Sequence, residues 1–428
     1  MLQADFLSKV VDALIKPKKK YSEVCLFLDD SKGYFVLHCK GVFFKVKLSS
    51  EIPDFIPILL NGVDLMDHLK SLKKSPVNFE DLKTLPHDEN EDLTQYLSAF
   101  KSWEATNNKT IKFKVNTAFL KDFVYFLDQA PKDDVRYYLN SVLLDFNSGW
   151  DHLKVVTTNG HYLLKNEYKD VVIENPNELE SGRYIVPKEP PLMNLLDLIF
   201  KQKLDTNEAS IQVSFNTFKL EIGDLSVSFK LIDARYPDID NILNQIHSYY
   251  NTFEIPKDSV MKFIVDAKKL KPLCITVSDD KRFNYEKLRA MLRFNRENAN
   301  VTIKAEFPYE HNSIKCNNYN AEQFTALIKQ LETITQNKVN ITDDGTIDLN
   351  EVIENSGLCE PLVIDLKSGE YIPNELLCLN RDYLETVIGF FGKESVYITF
   401  SHEEIGAKSF FVHNTDKTKL AIVMPIRV

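Results

Sequence analysis

A length of 428 residues is too great for one ordinary hydrophobic core and predicts several domains, with three as the central expectation. The formal charge of -10 argues against a protein that coats nucleic acid with its whole surface, because phosphate binding depends on neutralisation by Lys and Arg; a local basic lining stays compatible with it. No stretch approaches the roughly 18 consecutive apolar residues of a membrane helix, and Asp5 lies where a secretory signal would be basic, so we expect an intracellular, cytoplasmic protein.

The first predicted domain, residues 1–108, begins with a helix whose apolar residues recur at helical spacing and which Pro17 ends. Residues 24–28 and 34–39 are predicted strands around a turn that contains Gly33, and a second helix is expected over residues 63–72. A lysine run follows the first helix and indicates either a solvated helix end or an edge that faces phosphate.

The second predicted domain, residues 109–249, shares its spacing with the third, residues 250–428. Phe113, Val115, Leu120, Phe123 and Val124 recur as Phe253, Ile255, Val260, Phe263 and Ile264, each displaced by 140 residues. A hairpin follows the helix in both, over 142–146 with 154–158 and over 291–294 with 301–306. Repetition at this length indicates duplicated domains, because the units of a solenoid are far shorter.

Both domains end in the same order of elements. A helix over 192–201 precedes strands 211–215, 218–222 and 225–231, and a helix over 382–391 precedes strands 396–400, 409–413 and 420–425. A sheet of this composition leaves one face for two helices to cover, so we expect an α+β fold with three repeated domains.

The third domain is longer by an insertion at about 309–359, which contains a predicted amphipathic helix over 321–333. Residues 340–351 match a calcium-binding loop in part, but Asn340 stands where the loop requires Asp. Residues 339–342 and 346–349 fit equally well as two strands of a hairpin around an Asp-Gly turn.

The residue types that would build a metal or catalytic centre are sparse. The six cysteines form no Cys-x-x-Cys pair, and the 13 glycines include no phosphate-binding loop, so we expect reduced core thiols, no cofactor, no metal and no enzymatic activity. Asp29-Asp30, Asp133-Asp134 and Asp279-Asp280 could be imagined as nuclease carboxylates, but each pair lies in a predicted turn, where acids are usually solvated. His161 has no nearby acid in the sequence and is interpreted as structural more readily than as a general base.

Three stretches together resemble the bacterial DNA polymerase III beta subunits, the sliding clamps: residues 134–140, the junction 231–243 and the C-terminal residues 422–428. The resemblance covers the second and third domains, apart from the insertion, and the first domain only by pattern. It implies a homodimeric ring of six similar DNA-clamp domains, whose inner helices surround duplex DNA without reading its sequence. It also implies partners, namely a replicative polymerase, a clamp loader and other proteins with a clamp-binding motif. Whether the host is a bacterium or one of its viruses or plasmids is left open.

The resemblance implies a DNA-contacting loop and a loosely placed cationic lining. Arg136 would contact phosphate, and Tyr137 and Tyr138 would lie against the backbone or an exposed strand; unaided, the two tyrosines would be taken as the start of a strand. The lining lysines, chosen because they lie in or beside predicted helices, are Lys16, Lys18, Lys19, Lys121, Lys188, Lys201, Lys257 and Lys262.

The resemblance also implies a cleft that receives short partner peptides. Its residues would be Leu139, Thr158, Gly160, His161, Tyr162, Leu163, Pro237, Ile242, Asn380, Tyr383, Val423, Met424, Pro425, Ile426, Arg427 and Val428. A flexible methionine at an apolar groove suits several peptides in turn, although the C-terminal stretch alone would also fit a buried edge strand. Asn159 stands where the family favours Asp, and Tyr162 where a basic residue is usual, so the preferred peptide is expected to differ.

Three functions therefore remain in view. The first is a processivity clamp that encircles DNA and tethers a polymerase. The others are a clamp-like scaffold that binds partners without encircling DNA and a metal-dependent nuclease.

Overall fold

The chain forms two compact units in a computed structural model. The first unit lies within residues 1–159 and 167–237, and the second within 160–166 and 238–428. The structure describes residues 4–15, 23–29, 34–39, 41–47, 57–86, 93, 98, 100, 110–146, 152–169, 171, 182–201, 209–214, 216–244, 251–255, 257, 258, 261, 274–277, 281–284, 289–295, 300–306, 313–315, 325, 328, 329, 332, 338–341, 343, 346–348, 362–365, 376–400 and 409–424.

Strands outnumber helices along the described part of the chain. The helices are α1 Ala4–Ile15, α2 Gly62–Ser71, α3 Phe79–Leu82, α4 Thr117–Gln129, α5 Pro190–Lys201, α6 Ile239–Asn244 and α7 Arg381–Phe390. The strands are β1 Glu23–Asp29, β2 Tyr34–Cys39, β3 Val42–Lys47, β4 Ile58–Asn61, β5 Ile111–Val115, β6 Ser141–Phe146, β7 Leu153–Thr158, β8 Tyr162–Tyr168, β9 Gly182–Pro187, β10 Ala209–Val213, β11 Thr217–Ile222, β12 Leu225–Lys230, β13 Asn251–Ile255, β14 Cys274–Val277, β15 Lys281–Asn284, β16 Arg289–Asn295, β17 Asn300–Glu306, β18 Ser313–Lys315, β19 Thr346–Asp348, β20 Leu362–Asp365, β21 Leu376–Asn380, β22 Val396–Phe400, β23 Phe410–His413 and β24 Lys419–Val423.

An antiparallel sheet of eight strands runs through the first unit in the order β4-β1-β2-β3-β12-β11-β10-β5. Strands β3 and β12 join its two halves, with Phe44 opposite Val227, so the sheet continues from the first predicted domain into the second. The β1–β2 and β6–β7 hairpins are confirmed, with Phe27 opposite Val36 and Leu143 opposite Val156. The three-domain division itself stays a prediction.

Helices α1 and α5 pack in the first unit because each has a wide apolar stripe. Leu7, Val10, Val11 and Leu14 are fully buried, and the predicted apolar side of α5, from Leu192 to Ile199, is buried as well. The Asn194 amide donates to the Ala13 carbonyl at 3.0 Å and joins the two helices directly. Helix α4 begins at a true cap, because the Asn116 side chain accepts from the Phe119 N–H at 2.8 Å.

At the predicted junction, strand β12 ends at Lys230 and helix α6 begins at Ile239. Ile232 bridges Ile185 of β9, and the Asp238 carboxylate accepts from the Asn241 N–H at 3.3 Å where α6 begins. Tyr236, the first residue of the Tyr-Pro-Asp turn, is buried, and burial raises the pKa of its phenol. Tyr236 therefore belongs to the first unit's core.

The second unit contains strands in the order β13-β22-β23-β24-β8 and a four-stranded sheet β20-β17-β16-β21. The predicted β16–β17 hairpin is confirmed, with Leu292 opposite Ile303. The hairpin prediction for residues 339–349 is wrong, because β19 pairs with β18, Ile347 opposite Ile314, and the described residues 339–341 form no strand. Most of the predicted helix over 321–333 and half of the calcium-loop residues lie outside the described residues.

The α+β fold class is confirmed by these helices and antiparallel sheets. Cys25 and Cys39 are buried, as expected of core thiols, and the Cys39 thiol donates to the Leu14 carbonyl at 3.7 Å. Within the described ranges, no helix combines the length and the hydropathy needed to cross a membrane.

Candidate functional site

The segment between α4 and β6 is a tight loop held by side-chain hydrogen bonds. The Asn140 amide donates to the Asp134 carbonyl, and its oxygen accepts from the Asp134 N–H, both at 3.0 Å. A 3-10 turn over Tyr137–Leu139 follows, closed by the Leu139 N–H, which donates to the Arg136 carbonyl at 2.7 Å. The interpretation of Tyr137 and Tyr138 as the start of a strand is wrong, because the strand begins only at Ser141.

Arg136 is fixed on this loop by Asp134. Its Nε and Nη2 donate to the two carboxylate oxygens at 2.9 and 2.7 Å, and its backbone N–H donates to Oδ1 at 2.8 Å. Nη2 also reaches the Asn159 carbonyl at 3.3 Å, and the hydrogen bonding to Asp134 raises the pKa of Arg136. The expectation that Asp134 is a solvated turn acid is therefore wrong; it is the partner of the predicted phosphate-contacting residue.

The loop presents an apolar and aromatic tip to solvent. Val135 is 96% exposed and Tyr137 58% exposed, whereas Leu139 is buried. The Tyr137 and Tyr138 rings meet edge to face, with centroids 5.9 Å apart. The tip of the loop thus exposes two side chains able to stack or pack, next to the Arg136 guanidinium that is paired with Asp134.

The predicted lining lysines fall into different environments. Lys121 is exposed on α4, and Lys257 is half-buried. Lys188 has its ammonium at the C-terminal end of α4, where it donates to the Asp128 and Ala130 carbonyls at 2.7 and 2.8 Å. Lys16, Lys18, Lys19 and Lys262 lie outside the described residues, as does the side chain of Lys201.

An aromatic cluster in the second unit brings together three residues of the predicted cleft. Tyr383 of α7 stacks on His161, with centroids 5.6 Å apart and planes 14° apart, and its ring lies 5.4 Å from that of Tyr162. Tyr162 is buried; burial raises its pKa to about 12, and Tyr383 acts in the same direction. His161 is exposed, so its place in the cluster is set by ring stacking rather than by burial in a core.

The C-terminal strand lies directly beside this cluster. In β24, Val423 is opposite Tyr162 and Ile422 opposite Leu163, and the Met424 N–H donates to the His161 carbonyl at 2.8 Å. Val423 is buried, whereas Met424 is 46% exposed. This stretch can be a buried strand and also contribute to a peptide cleft, because Val423 at the end of β24 is buried while the Met424 side chain is exposed to solvent.

The other predicted cleft residues are divided between the units. Leu139 and Thr158 are buried and Pro237 is half-buried in the first unit, and Gly160, at φ +86°, opens the turn before β8 in the second. Ile242 is half-buried on α6, and Asn380 ends β21 with its side chain outside the described part of the chain. Pro425, Ile426, Arg427 and Val428 lie outside the described residues.

The residues whose hydrogen bonds position the candidate site are harder to predict from the sequence than the site residues themselves. The carboxylate of Asp134 and the amide of Asn140 were not predicted as the groups that shape the loop, although an acid two positions before an arginine is a detectable signal of a local turn. Among the described residues, no group of three or more His, Cys, Asp or Glu side chains could hold a metal ion.

Comparison with known proteins gives partial sequence similarity and full-length similarity of fold. No family model matches the chain. The beta sliding clamp of Escherichia coli K12 is 33% identical over 114 residues, 26% of this chain and 27% of that protein, and the beta sliding clamp of Haemophilus influenzae is 27% identical over 164 residues, 38% of each. The aligned part thus spans only about a quarter to two fifths of these relatives' length.

The solved structures match over nearly the whole length. The Helicobacter pylori beta clamp bound to a DNA ligase peptide superposes with a TM-score of 0.63 at 16% identity, and covers 100% of this chain and 99% of that one. The DNA polymerase sliding clamp of Pseudomonas aeruginosa gives a TM-score of 0.62 at 19% identity, with the same coverage. The resemblance inferred from the three sequence stretches is thereby confirmed: the chain has the fold of the bacterial beta clamps, and part of its sequence is similar to that of the bacterial beta sliding clamps.

Proposed function

We propose that this chain is a DNA sliding clamp, a processivity factor that encircles duplex DNA as a homodimer and tethers the replicative polymerase. The observation that carries the proposal is the correspondence of fold over 100% of this chain and 99% of a beta clamp, because a clamp needs all of its domains to enclose DNA. The 140-residue repeat within the sequence supports it independently.

The charges on the described helices suit a protein retained by topology rather than by affinity. Helices α1 and α4 each carry two aspartates against one lysine. Such helices neutralise few phosphates, so they would bind DNA weakly and release few counterions. In an enclosing ring this is compatible with function, because weak contacts permit sliding and the closed ring prevents escape.

Within this proposal the loop with Arg136, Tyr137 and Tyr138 touches the DNA as it passes. Asp134 would position the guanidinium while it lowers the net charge of the loop, and the exposed Tyr137 ring would lie against sugar, backbone or an unpaired base. This contact would be independent of base sequence.

The aromatic cluster of His161, Tyr162 and Tyr383, with the exposed Met424, would receive the partner peptide. The Helicobacter pylori clamp was solved with a DNA ligase peptide, and the corresponding partners of this chain would be the polymerase, the clamp loader and other proteins with a clamp-binding motif. Aromatic rings and a methionine offer a large contact area that adapts to several apolar side chains. In this role the protein would act in the cytoplasm, where bacterial DNA is replicated.

Electron microscopy of the purified full chain, combined with light scattering, tests the proposal. A six-lobed ring and a mass twice that of the 49.4 kDa chain are expected. A compact monomeric particle at micromolar concentration would contradict the encircling role and would favour a scaffold that binds partners alone.

The peptide role is tested separately by removal of residues 424–428. We expect the truncated protein to keep its ring and lose polymerase stimulation, because the Met424 side chain and the residues after it would be absent from the peptide site. Full stimulation by the truncated protein would overturn the assignment of the site and leave the ring untouched.

A further inference from the structure

A cavity of about 780 Å³ lies within the first unit. Three segments wall it together with Ile232: the end of α4 with the residues that follow, the turn at Tyr137 to Asn140, and residues 187–194 at the start of α5. Its volume is in the range that protein pockets use to hold small ligands or a few side chains.

Lys188 fixes the walls relative to one another. Its backbone N–H donates to the Asn140 carbonyl at 2.9 Å, and its ammonium donates to the carbonyls of Asp128 and Ala130. One residue of the third wall is thus bonded to both of the others. The cavity is therefore preformed and does not require a ligand to order it.

The charged groups at the rim of the cavity have a net excess of one negative charge. The rim carries the carboxylates of Asp128, Asp133 and Glu189, and the ammonium groups of Lys132 and Lys188. Because the Lys188 ammonium already donates hydrogen bonds to the carbonyls at the end of α4, it neutralises the rim carboxylates only in part. The C-terminal end of α4 adds the partial negative charge of the helix dipole at the same place.

Asp128 is a carboxylate of the rim that a further cation would stabilise. Partial burial raises its pKa, Lys188 opposes this, and Asp197 raises the pKa further. The nearby lysine therefore does not fully compensate for the lost hydration and the neighbouring acid. A cation that entered the cavity would stabilise the ionised form.

The start of α5 does not convert the cavity into an anion site. Pro190 and Pro191 occupy its first two positions and have no N–H to donate, and the Met193 N–H is bonded to the Glu189 carbonyl at 3.1 Å. The apolar lining consists of Pro187, Pro190, Met193 and Ile232. It offers a surface for an aliphatic stem rather than for a phosphate.

We propose that this cavity binds a lysine or arginine side chain of a partner polypeptide, with the aliphatic stem against Met193 and Ile232 and the cationic group facing Asp128 and Asp133. Long basic side chains have this division into an apolar stem and a charged end. Together with the peptide site, the cavity would give a partner a second point of attachment on the first unit. This role is independent of whether the protein encircles DNA.

The test uses calorimetric titration of the full-length protein with a short, acetylated and amidated peptide, Gly-Leu-Lys-Leu-Gly, and the same peptide with glutamate in place of lysine. We expect the lysine peptide to bind and the glutamate peptide to give no heat. The double variant D128N/D133N should weaken binding of the lysine peptide at least ten-fold. The matched control D224N, on the exposed turn between β11 and β12, should bind like the unmodified protein.

Equal binding by D128N/D133N, or tighter binding of the glutamate peptide, would overturn the proposal. A second variant, Met193→Trp, places a bulkier ring on the apolar wall where the aliphatic stem would lie, without a change of charge, and we expect it to weaken binding at least ten-fold while its circular dichroism stays unchanged. Unaltered affinity in a folded Met193→Trp protein would place the peptide elsewhere. Should that variant fail to fold, the charge variants decide the question.

Discussion

The Asp134 carboxylate accepts three hydrogen bonds from Arg136, from Nε, from Nη2 and from the backbone N–H, next to the exposed Val135 and Tyr137 side chains. The pair sets the direction of the guanidinium and reduces the net charge of the loop at the same time. Asp134 therefore orients the guanidinium that would contact phosphate and partly neutralises its charge. A weaker attraction to phosphate suits a contact that must be made and broken as DNA slides.

Removal of the Asp134 charge is expected to strengthen DNA binding. Asp134→Asn keeps an oxygen that can accept from the Arg136 backbone, but it leaves the guanidinium charge uncompensated, so the dependence of log affinity on log salt should steepen by about 1. The measurement is fluorescence anisotropy with a short linear duplex at several salt concentrations. Arg136→Gln is the opposite control and should flatten the same dependence; an identical slope in both variants would show that the loop does not meet phosphate.

Loss of the Tyr383 ring is expected to weaken partner-peptide binding about ten-fold. Tyr383→Ala removes the surface that stacks on His161 and contacts Tyr162, whereas Tyr383→Phe keeps it, and a buried aromatic anchor is commonly worth more than about 1 kcal/mol. Binding of a labelled clamp-binding peptide measures both variants. Equal weakening by Phe and Ala would assign the effect to the hydroxyl and not to the ring.

Removal of the Lys188 ammonium is expected to destabilise the first unit. Lys188→Met loses two hydrogen bonds from a charged donor to carbonyls at the end of α4, for which we expect a loss of about 2 kcal/mol in the free energy of unfolding. Urea denaturation followed by circular dichroism gives the value. The exposed Lys121→Met on the same helix is the matched control and should stay within about 0.5 kcal/mol of the unmodified protein. A Lys188→Met protein as stable as this control would contradict the capping role.

Acid is expected to destabilise the chain in part through His38. Burial against neighbours that include the stacked Phe43 ring lowers the pKa of His38 from 6.5 to about 4. As the pH falls from 6.5 to 4 the unfolded chain gains a proton that the folded chain does not, so stability is complete above pH 6.5 and declines through this interval. Urea midpoints at about pH 7.5 and about pH 4.5 should differ less in His38→Gln than in the unmodified protein. An undiminished difference would assign the acid sensitivity to other groups.

The elements of this fold with short-range periodicity could be predicted from the sequence. The spacing of Leu7, Val10, Val11 and Leu14 predicts α1, and the alternation around residues 142–158 predicts the β6–β7 hairpin, because both depend on contacts within a few residues. The pairing of β3 with β12 and of β18 with β19 could not be predicted, since each joins strands far apart in the chain and no local pattern records the partner.

The candidate site shows the same division. Its aromatic and apolar members follow from residue type and from the resemblance to the clamps, including Tyr162, Tyr383 and Met424. The hydrogen bonds that position Arg136 and the commitment of Lys188 to the end of α4 depend on rotamers and loop geometry, which residue type alone does not determine. The sequence therefore predicts the exposed site residues better than the hydrogen bonds that position them.

The central claim, that this protein is held on DNA by enclosure, is tested most directly by its lifetime on DNA whose ends are open or blocked. Protein loaded on a biotinylated linear duplex is followed by single-molecule fluorescence in buffer of high salt, first with streptavidin at both ends and then with free ends. Enclosure predicts long retention on blocked DNA and rapid loss on open DNA. Equal, short lifetimes on the two substrates would contradict it.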